Sequence, residues 1–343
     1  MKSFTNKLQK LFACLIILSP TFSSNAEVPT YPKHIIPNNP DDPELKYSSF
    51  TFKGGLANEP KQEKIATGGE DALYYSKNLL AVADGVGGWA LQGIDSSRYS
   101  KKLIENAKAF FEKNPEHYSQ YPKDLLVECA KKNLEMGTST FVLATLWEKY
   151  VKIGFLGDSG YMILTPKLRQ LPQNRGFNIM YSADVVSKEQ EHAFNFPFQI
   201  GINGDDPELK ALSFQHEVNY GHLIVLVSDG VLDNLFPHDV EYVLNTYIEE
   251  IKQVHGRGLR NVVENFDGKY FSEFLAKKTL EISQKTDIIS PFAVGAMNTG
   301  LLALGGKMDD ISIVSAMIRF TDEARPEELK VISKFSGLFC LFI

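Results

Sequence analysis

Four apolar segments of this chain each meet an aspartate at one end, and this arrangement limits the fold more than any other feature. "LLAVADGVGG" ends on Asp84-Gly85, "VKIGFLGDSG" on Asp158 and "LIVLVSDGV" on Asp229-Gly230, while "KMDDISIV" opens on Asp309-Asp310. A fifth stretch, "GGEDALYY", puts Glu70 and Asp71 at the head of a short strand. Taken singly, each reads as a turn, because Asp-Gly is a common hairpin signal and aspartate is disfavoured inside strands. Taken together, buried strands that finish on carboxylates gather mutually repelling charges, which a fold tolerates when a cation neutralises them. Ligands that are all oxygen, without His or Cys, suit hard ions such as Mg2+ or Mn2+. Gly85 would let a backbone carbonyl approach such an ion closely.

The runs Asn78–Asp84, Ser139–Leu146, Lys152–Leu156, His222–Ser228 and Ile311–Ile318 are predicted strands, mostly β-branched or aromatic and bounded by Gly or Asp. Ser96–Lys113 places Tyr99, Leu103, Ala107 and Phe110 at helical spacing, and Asp124–Met136, His238–Val254 and Tyr270–Ser283 behave similarly. Runs of strands with helical pairs between them predict an α+β layered domain. Trp89 and Tyr99 are expected in the core near the carboxylates. No Gly/Ser- or Pro-rich linker divides the chain after Tyr47 and no tandem repeat is present, so residues 47–320 are expected to form one domain. Residues 27–46, with "PNNPDDPE", read as an extended arm. Residues 321–343 end in the apolar "SGLFCLFI", which is expected to pack on the domain or to present a patch to a partner.

With 43% hydrophobic and 23% charged residues, the chain has the composition of a globular protein. Its net charge of −6 and the lack of a basic stripe argue against nucleic acid as a partner. Residues 1–26 carry Lys2, Lys7 and Lys10 without an acid, then the apolar run Leu11–Leu18, then Ser24-Asn25-Ala26. This is the order of a secretory signal cleaved after Ala26, and it implies export. A mitochondrial presequence is the alternative, although that class favours Arg and none precedes Arg98. Cleavage would remove three lysines and take the formal charge from −6 to −9. It would leave Cys129 and Cys340, too few for a disulfide framework or a cysteine zinc site, and their spacing does not decide whether they bridge. No later segment is long enough to span a bilayer, and the oligomeric state is not readable.

"GDSG" at Gly157–Gly160 is also the string around the nucleophile of trypsin-like proteases. A triad needs a His with an Asp partner before the serine. Only His34 and His117 precede Ser159, neither in a small-residue motif after a strand, and the cysteines of such secreted proteases are missing. A nucleotide cradle at "DGVGG" would need a following Lys-Ser/Thr or a longer Gly pattern opening a helix, and neither is present.

In this order, "EDA", "ADGVGGW", "GTST…GDSG", "VSDGV.DN" and "GGKMDDISI" resemble the metal-dependent protein serine/threonine phosphatases of type 2C. "DGVGGW", "FNFPFQI" and "ISPFA…GGKMDD" resemble the mitochondrial branch of that family. The resemblance covers about Phe50 to Phe320. It implies a four-layer αββα sandwich, two antiparallel β-sheets flanked by α-helices, with a binuclear Mn2+ or Mg2+ centre at one end. Asp84 would bridge the two ions, the Gly85 carbonyl would bind one, and Asp229 and Asp309 would ligate the other. Glu70 and Asp71 would hold metal-bound waters, and Asp158 matches the aspartate of a weaker third metal position, which makes Ser159 a turn residue. The reaction implied is hydrolysis of phosphoserine or phosphothreonine on phosphoprotein substrates, without a covalent intermediate. Two departures stand out. Val86 occupies the position of a His that better-known members use as general acid, and Ala66 lies near the place of a phosphate-gripping Arg. A water held by Glu70 or Asp71, or His192, would then have to protonate the leaving alkoxide. A non-catalytic binding protein on the same fold is the alternative; its expected signature is loss of a metal aspartate, and Asp84, Asp229 and Asp309 are all present.

Overall fold

The computed structural model describes residues 46–170, 177–322 and 324. The expected signal 1–26, the arm 27–46 up to its last residue, Cys340 and nearly all of the tail 321–343 lie outside the described residues. Among the described residues no helix is long and apolar enough to cross a membrane.

The first half of the chain forms β1 (Phe50–Glu59), β2 (Ala72–Tyr75), β3 (Leu79–Ala83), α1 (Ser97–Lys113), α2 (Pro115–Gln120), α3 (Pro122–Lys131), β4 (Thr138–Ser139), β5 (Phe141–Trp147), β6 (Tyr150–Leu156) and β7 (Gly160–Gln170). There follow β8 (Phe177–Val186), the short β9 (Glu191–Ala193), β10 (Phe196–Pro197) and β11 (Ile200–Gly201), then α4 (Pro207–Lys210), β12 (Leu212–Glu217) and β13 (Leu223–Val227). The chain closes with α5 (Asp229–Leu232), α6 (Pro237–His255), α7 (Leu259–Asn265), α8 (Gly268–Ser283), α9 (Pro291–Asn298) and β14 (Ile311–Phe320).

Two five-stranded sheets result, in the orders β1-β14-β13-β7-β8 and β12-β6-β5-β3-β2. Every pairing within them is antiparallel. The alternation of side chains along a strand then builds three apolar layers. Leu80 and Val82 of β3 meet Leu226 of β13 and Val314 of β14 between the sheets. The opposite face of β3, Leu79, Ala81 and Ala83, packs under Tyr99, Leu103 and Leu125 of α1 and α3. Ile313 and Met317 of β14 pack under Leu244, Ile248 and Leu275 of α6 and α8. The molecule is therefore the expected αββα sandwich. Central strands covered on both faces read as unbroken apolar runs, which is why β3, β5, β13 and β14 were visible in the sequence.

The remaining strands carry weaker signals. β8 and β12 lie at sheet edges with half-exposed or exposed faces, so no apolar run marks them. β1 contains Gly54-Gly55 because α8 lies directly on Gly55 and β14 leaves no room for a side chain on Gly54. A Cβ on Gly55 would sit 2.3 Å from the Lys269 backbone nitrogen, and one on Gly54 2.1 Å from the Ser315 carbonyl oxygen. The helix expected over Asp124–Met136 starts earlier, with Pro122 at its first turn, and stops at Lys131. Beyond it the Asn133 side chain donates to the Tyr99 carbonyl at 2.9 Å and accepts from the Glu135 N–H at 3.1 Å, so local bonds replace the helical ladder.

Candidate active site

The topology explains why the carboxylates meet. β3, β6 and β13 end on the same side of the sandwich, and β2 and β14, antiparallel to β3 and β13, begin there. Asp84 follows β3, Asp158 follows β6, Asp229 opens α5 two residues beyond β13, Asp71 precedes β2, and Asp309 stands two residues before β14. Glu70, Asp84, Asp158, Asp229 and Asp309 line a single open cleft of about 940 Å³, and Asp71 lies buried beneath it with 1% of its surface exposed.

This end of the fold is electrostatically costly. Burial, then the charges of Asp310, Asp229 and Asp309, push the Asp71 carboxyl well above the ordinary carboxylate range, against a pull from the Ser312 hydroxyl. Burial, then Asp71, Asp229, Asp158 and Asp309, raise Asp84 in the same way. Asp158 and Asp309 are raised by burial and by Asp229, although Lys307 pulls each back. The buried Oδ2 of Asp71 has no hydrogen-bond partner, an arrangement that needs either a proton or a cation to be tolerated.

Gly85 lines the cleft beside Asp84. Its N–H donates to the Glu70 carbonyl at 3.2 Å, it bridges to Ser139, and a Cβ would lie 2.5 Å from the Glu70 carbonyl oxygen. Asp310 is structural: its two oxygens accept from the Lys61 and Glu70 backbone N–H groups, each at 2.7 Å, tying the loop after β1 to the head of β14. The Glu70 carboxylate is paired with Lys64.

Ser159 is fully buried, and its hydroxyl is hydrogen-bonded to that of Thr140 at 2.6 Å. It has no imidazole partner, so the protease reading of "GDSG" fails and the string is a turn that presents Asp158. Tyr99 is in the core as expected, but Trp89 is not: it forms part of the cleft wall, with Nε1 donating to Thr138 Oγ1 at 2.7 Å. Val86 also lines the cleft, while Ala66 is exposed. His192 stands on the cleft wall with Nε2 3.0 Å from an Asp205 oxygen.

Sequence reasoning missed the cations of the site. Lys64, on a short turn of 3-10 helix at Gln62–Lys64, pairs with Glu70 and comes within 3.7 Å of Asp310. Lys307 lies 2.7 Å from Asp229, 2.6 Å from Asp233 and 3.3 Å from Asp309. Asp233 was passed over as well, although it belongs to "VSDGVLDN"; burial, then Asp229, raises its carboxyl against the pull of Lys307. The donor set is that of a hard divalent ion. As they stand, no three His, Cys, Asp or Glu side chains among the described residues close on one metal-holding point, and three of the acids surround the Lys307 ammonium.

The protein named "Probable protein phosphatase 2C 26" of Arabidopsis thaliana is 30% identical over 280 residues, a match that spans 77% of this chain and 83% of that protein. The chain belongs to the type 2C protein phosphatase family. Within the family it is also similar to "Protein phosphatase PTC7 homolog fig" of Drosophila mojavensis, at 28% identity over 74% of this chain and 80% of that protein. The chain spans about half the length of the rice relatives it matches, 53% of one and 43% of another. Among solved structures, the photosystem II phosphatase PBCP superposes with a TM-score of 0.64 at 24% identity, over 79% of this chain and 99% of that one. The catalytic domain of the serine/threonine phosphatase PstP, described in complex with 2 manganese ions, gives 0.50 at 14% identity, over 78% and 99%. At such identities the likeness shows the type 2C fold. No family model matches the chain.

Proposed function

We propose that the chain hydrolyses phosphoserine and phosphothreonine on proteins, using two Mn2+ or Mg2+ ions held by Asp84, the Gly85 carbonyl, Asp229 and Asp309. The observation that carries this reading is the delivery of Asp71, Asp84, Asp158, Asp229 and Asp309 from separate strand ends to one end of the sandwich. Membership of the family supports it, as does the manganese described for PstP. Bound there, the ions supply a water of lowered pKa and neutralise charge developing on the phosphoryl oxygens.

The residues of the chain do the rest. Asp71 keeps one oxygen free of protein partners, an acceptor able to orient water. Glu70 is aimed by Lys64 and by the Asp310 bond to its N–H. Lys61 and Lys64 add positive charge to the cleft where Ala66 cannot, and serve to draw in the phosphate dianion. His192, oriented by Asp205, stands on the cleft wall as a candidate to hand a proton to the leaving serine or threonine oxygen. Asp158 is the candidate ligand of a weaker third ion. Nothing favours a purely binding role, since none of the metal aspartates is lost.

The test is release of phosphate from a phosphothreonine peptide by the purified chain, with and without Mn2+. Activity that appears with millimolar Mn2+ and vanishes with chelator is expected; full activity after exhaustive EDTA treatment overturns the metal mechanism. Export with cleavage after Ala26 is proposed in parallel, the mitochondrial alternative resting on the branch resemblance. Mass spectrometry of the mature N-terminus separates them.

A further inference from the structure

We propose that Lys307 is the resident counter-ion of the acidic corner formed by Asp229, Asp233 and Asp309, and that it competes there with divalent metal. The inference rests on the metal centre proposed above, and its first support is geometry. One ammonium reaches three carboxylates at 2.6 to 3.3 Å, with 17% of the side chain exposed. A lysine on an open surface would lose much rotamer freedom in holding such a position. Here the backbone is fixed in advance. The Lys307 N–H donates to Asn234 Oδ1 at 2.9 Å, and its carbonyl accepts from Asn234 Nδ2 at 2.8 Å. Asn234 is itself buried and bonded to the Gly230 carbonyl at 2.8 Å, so the lysine is clamped to the segment that carries both acids, with Asp229 opening the short helix α5 and Asp233 at its C-cap. Its ammonium also lies 5.4 Å from the centre of the Phe292 ring, a further cation contact.

The consequence follows from charge. Asp229 and Asp309 are the two acids expected to share an ion, and both already face Lys307. A divalent ion entering the corner meets a fixed positive charge and must displace it or bind beside it. Lys307 therefore acts in opposite directions on two properties. Without metal it neutralises part of the corner and stabilises the fold; with metal present it lowers affinity, so that occupancy follows the free ion concentration. A residue that merely holds the acids in position would move both properties the same way, because its loss would loosen the ligands as well as the fold.

The test compares wild type with Lys307→Met and Lys307→Gln by calorimetric titration with Mn2+, and by thermal melting in EDTA and in saturating Mn2+. Neither measurement needs catalysis. Both variants are expected to melt lower than wild type in EDTA, to bind Mn2+ at least tenfold more tightly, and to gain more from Mn2+ in the melt than wild type does. Mn2+ affinity that is unchanged or weaker in the variants overturns the proposal. So does failure of both variants to fold even in saturating Mn2+, because the ion should then replace the missing ammonium. If neither wild type nor the variants bind Mn2+, the metal centre falls and this proposal falls with it. If wild type binds and the variants bind no more tightly, only the role of Lys307 is lost.

Discussion

Asp71→Asn should stabilise the metal-free chain while removing most of its activity. Asp71 is 1% exposed, one of its oxygens has no partner, and burial and three neighbouring aspartates hold its carboxyl well above the ordinary range. A buried group left unsatisfied costs about 1–3 kcal/mol, and more when charged. Asparagine is nearly isosteric, carries no charge, and brings an amide that can donate to the surrounding carboxylates. The net gain in EDTA should be about 1–3 kcal/mol. At roughly 2–4 °C per kcal/mol for a domain of this size, the melting temperature should rise by about 2–12 °C. Saturating Mn2+ should reverse the order. Wild type gains binding free energy, about 2.7 kcal/mol at a hundredfold excess over Kd, and the variant gains less. Turnover of a phosphothreonine peptide should fall at least tenfold, in line with the loss of a group that orients the ion's surroundings. The assay is thermal melting at pH 7.5, in EDTA and in Mn2+, with the peptide assay beside it. An Asp71→Asn chain that melts below wild type in EDTA would refute the reasoning, because it would mean that Asp71 is satisfied in the metal-free fold. Asp229→Asn is the informative contrast: Asp229 accepts from Lys307 at 2.7 Å, so neutralising it loses an ion pair and should bring no such gain.

Ser159→Ala should keep turnover within a few-fold of wild type and cost about 1–2 kcal/mol, since it leaves the buried Thr140 hydroxyl without its partner; an inactive but folded variant would revive a serine nucleophile. Gly85→Ala should cost about 1–3 kcal/mol and abolish activity, because its Cβ would press on the Glu70 carbonyl, and a variant as stable and active as wild type would contradict the packing. In EDTA, melting temperature should fall as pH rises above the ordinary carboxylate value of about 4. Asp71, Asp84, Asp158 and Asp309 are raised in the fold, so the folded chain holds more protons than the unfolded one. Their contribution is present below the unfolded carboxylate value near about 4 and is lost as pH climbs through the folded ones. Saturating Mn2+ should flatten that slope, and a melting temperature that rises with pH in EDTA would contradict the crowding.

The layers of the fold were legible at most strands buried on both faces, β7 being the exception: its buried first half follows the Gly157–Gly160 turn directly and its second half is exposed. "LLAVA" and "LIVLV" are apolar on both faces because each strand lies between a sheet and a layer of helices. The edge strands β8 and β12 were not, since their outward faces obey no apolar rule. β1 was hidden for a different reason: its Gly54-Gly55 answers the close approach of β14 and α8, which come more than two hundred residues later and leave no trace in the local pattern.

The same division separates the acids of the site from its lysines. Asp84, Asp158, Asp229 and Asp309 stand at the ends of central strands, so their convergence follows from the strand pattern together with antiparallel pairing, both readable along the chain. Lys64 and Lys307 sit on loops whose course is set by distant bonds. The loop after β1 is held by Asp310, 249 positions beyond Lys61, and Lys307 is held by Asn234, 73 positions before it. No local spacing encodes such pairs. A lysine beside a run of aspartates reads as ordinary solvated charge until the fold turns its ammonium inward. Sequence pattern therefore finds the acids that strands deliver and overlooks the counter-charges that loops deliver. On the proposal made for Lys307, those counter-charges set how tightly the acids hold an ion.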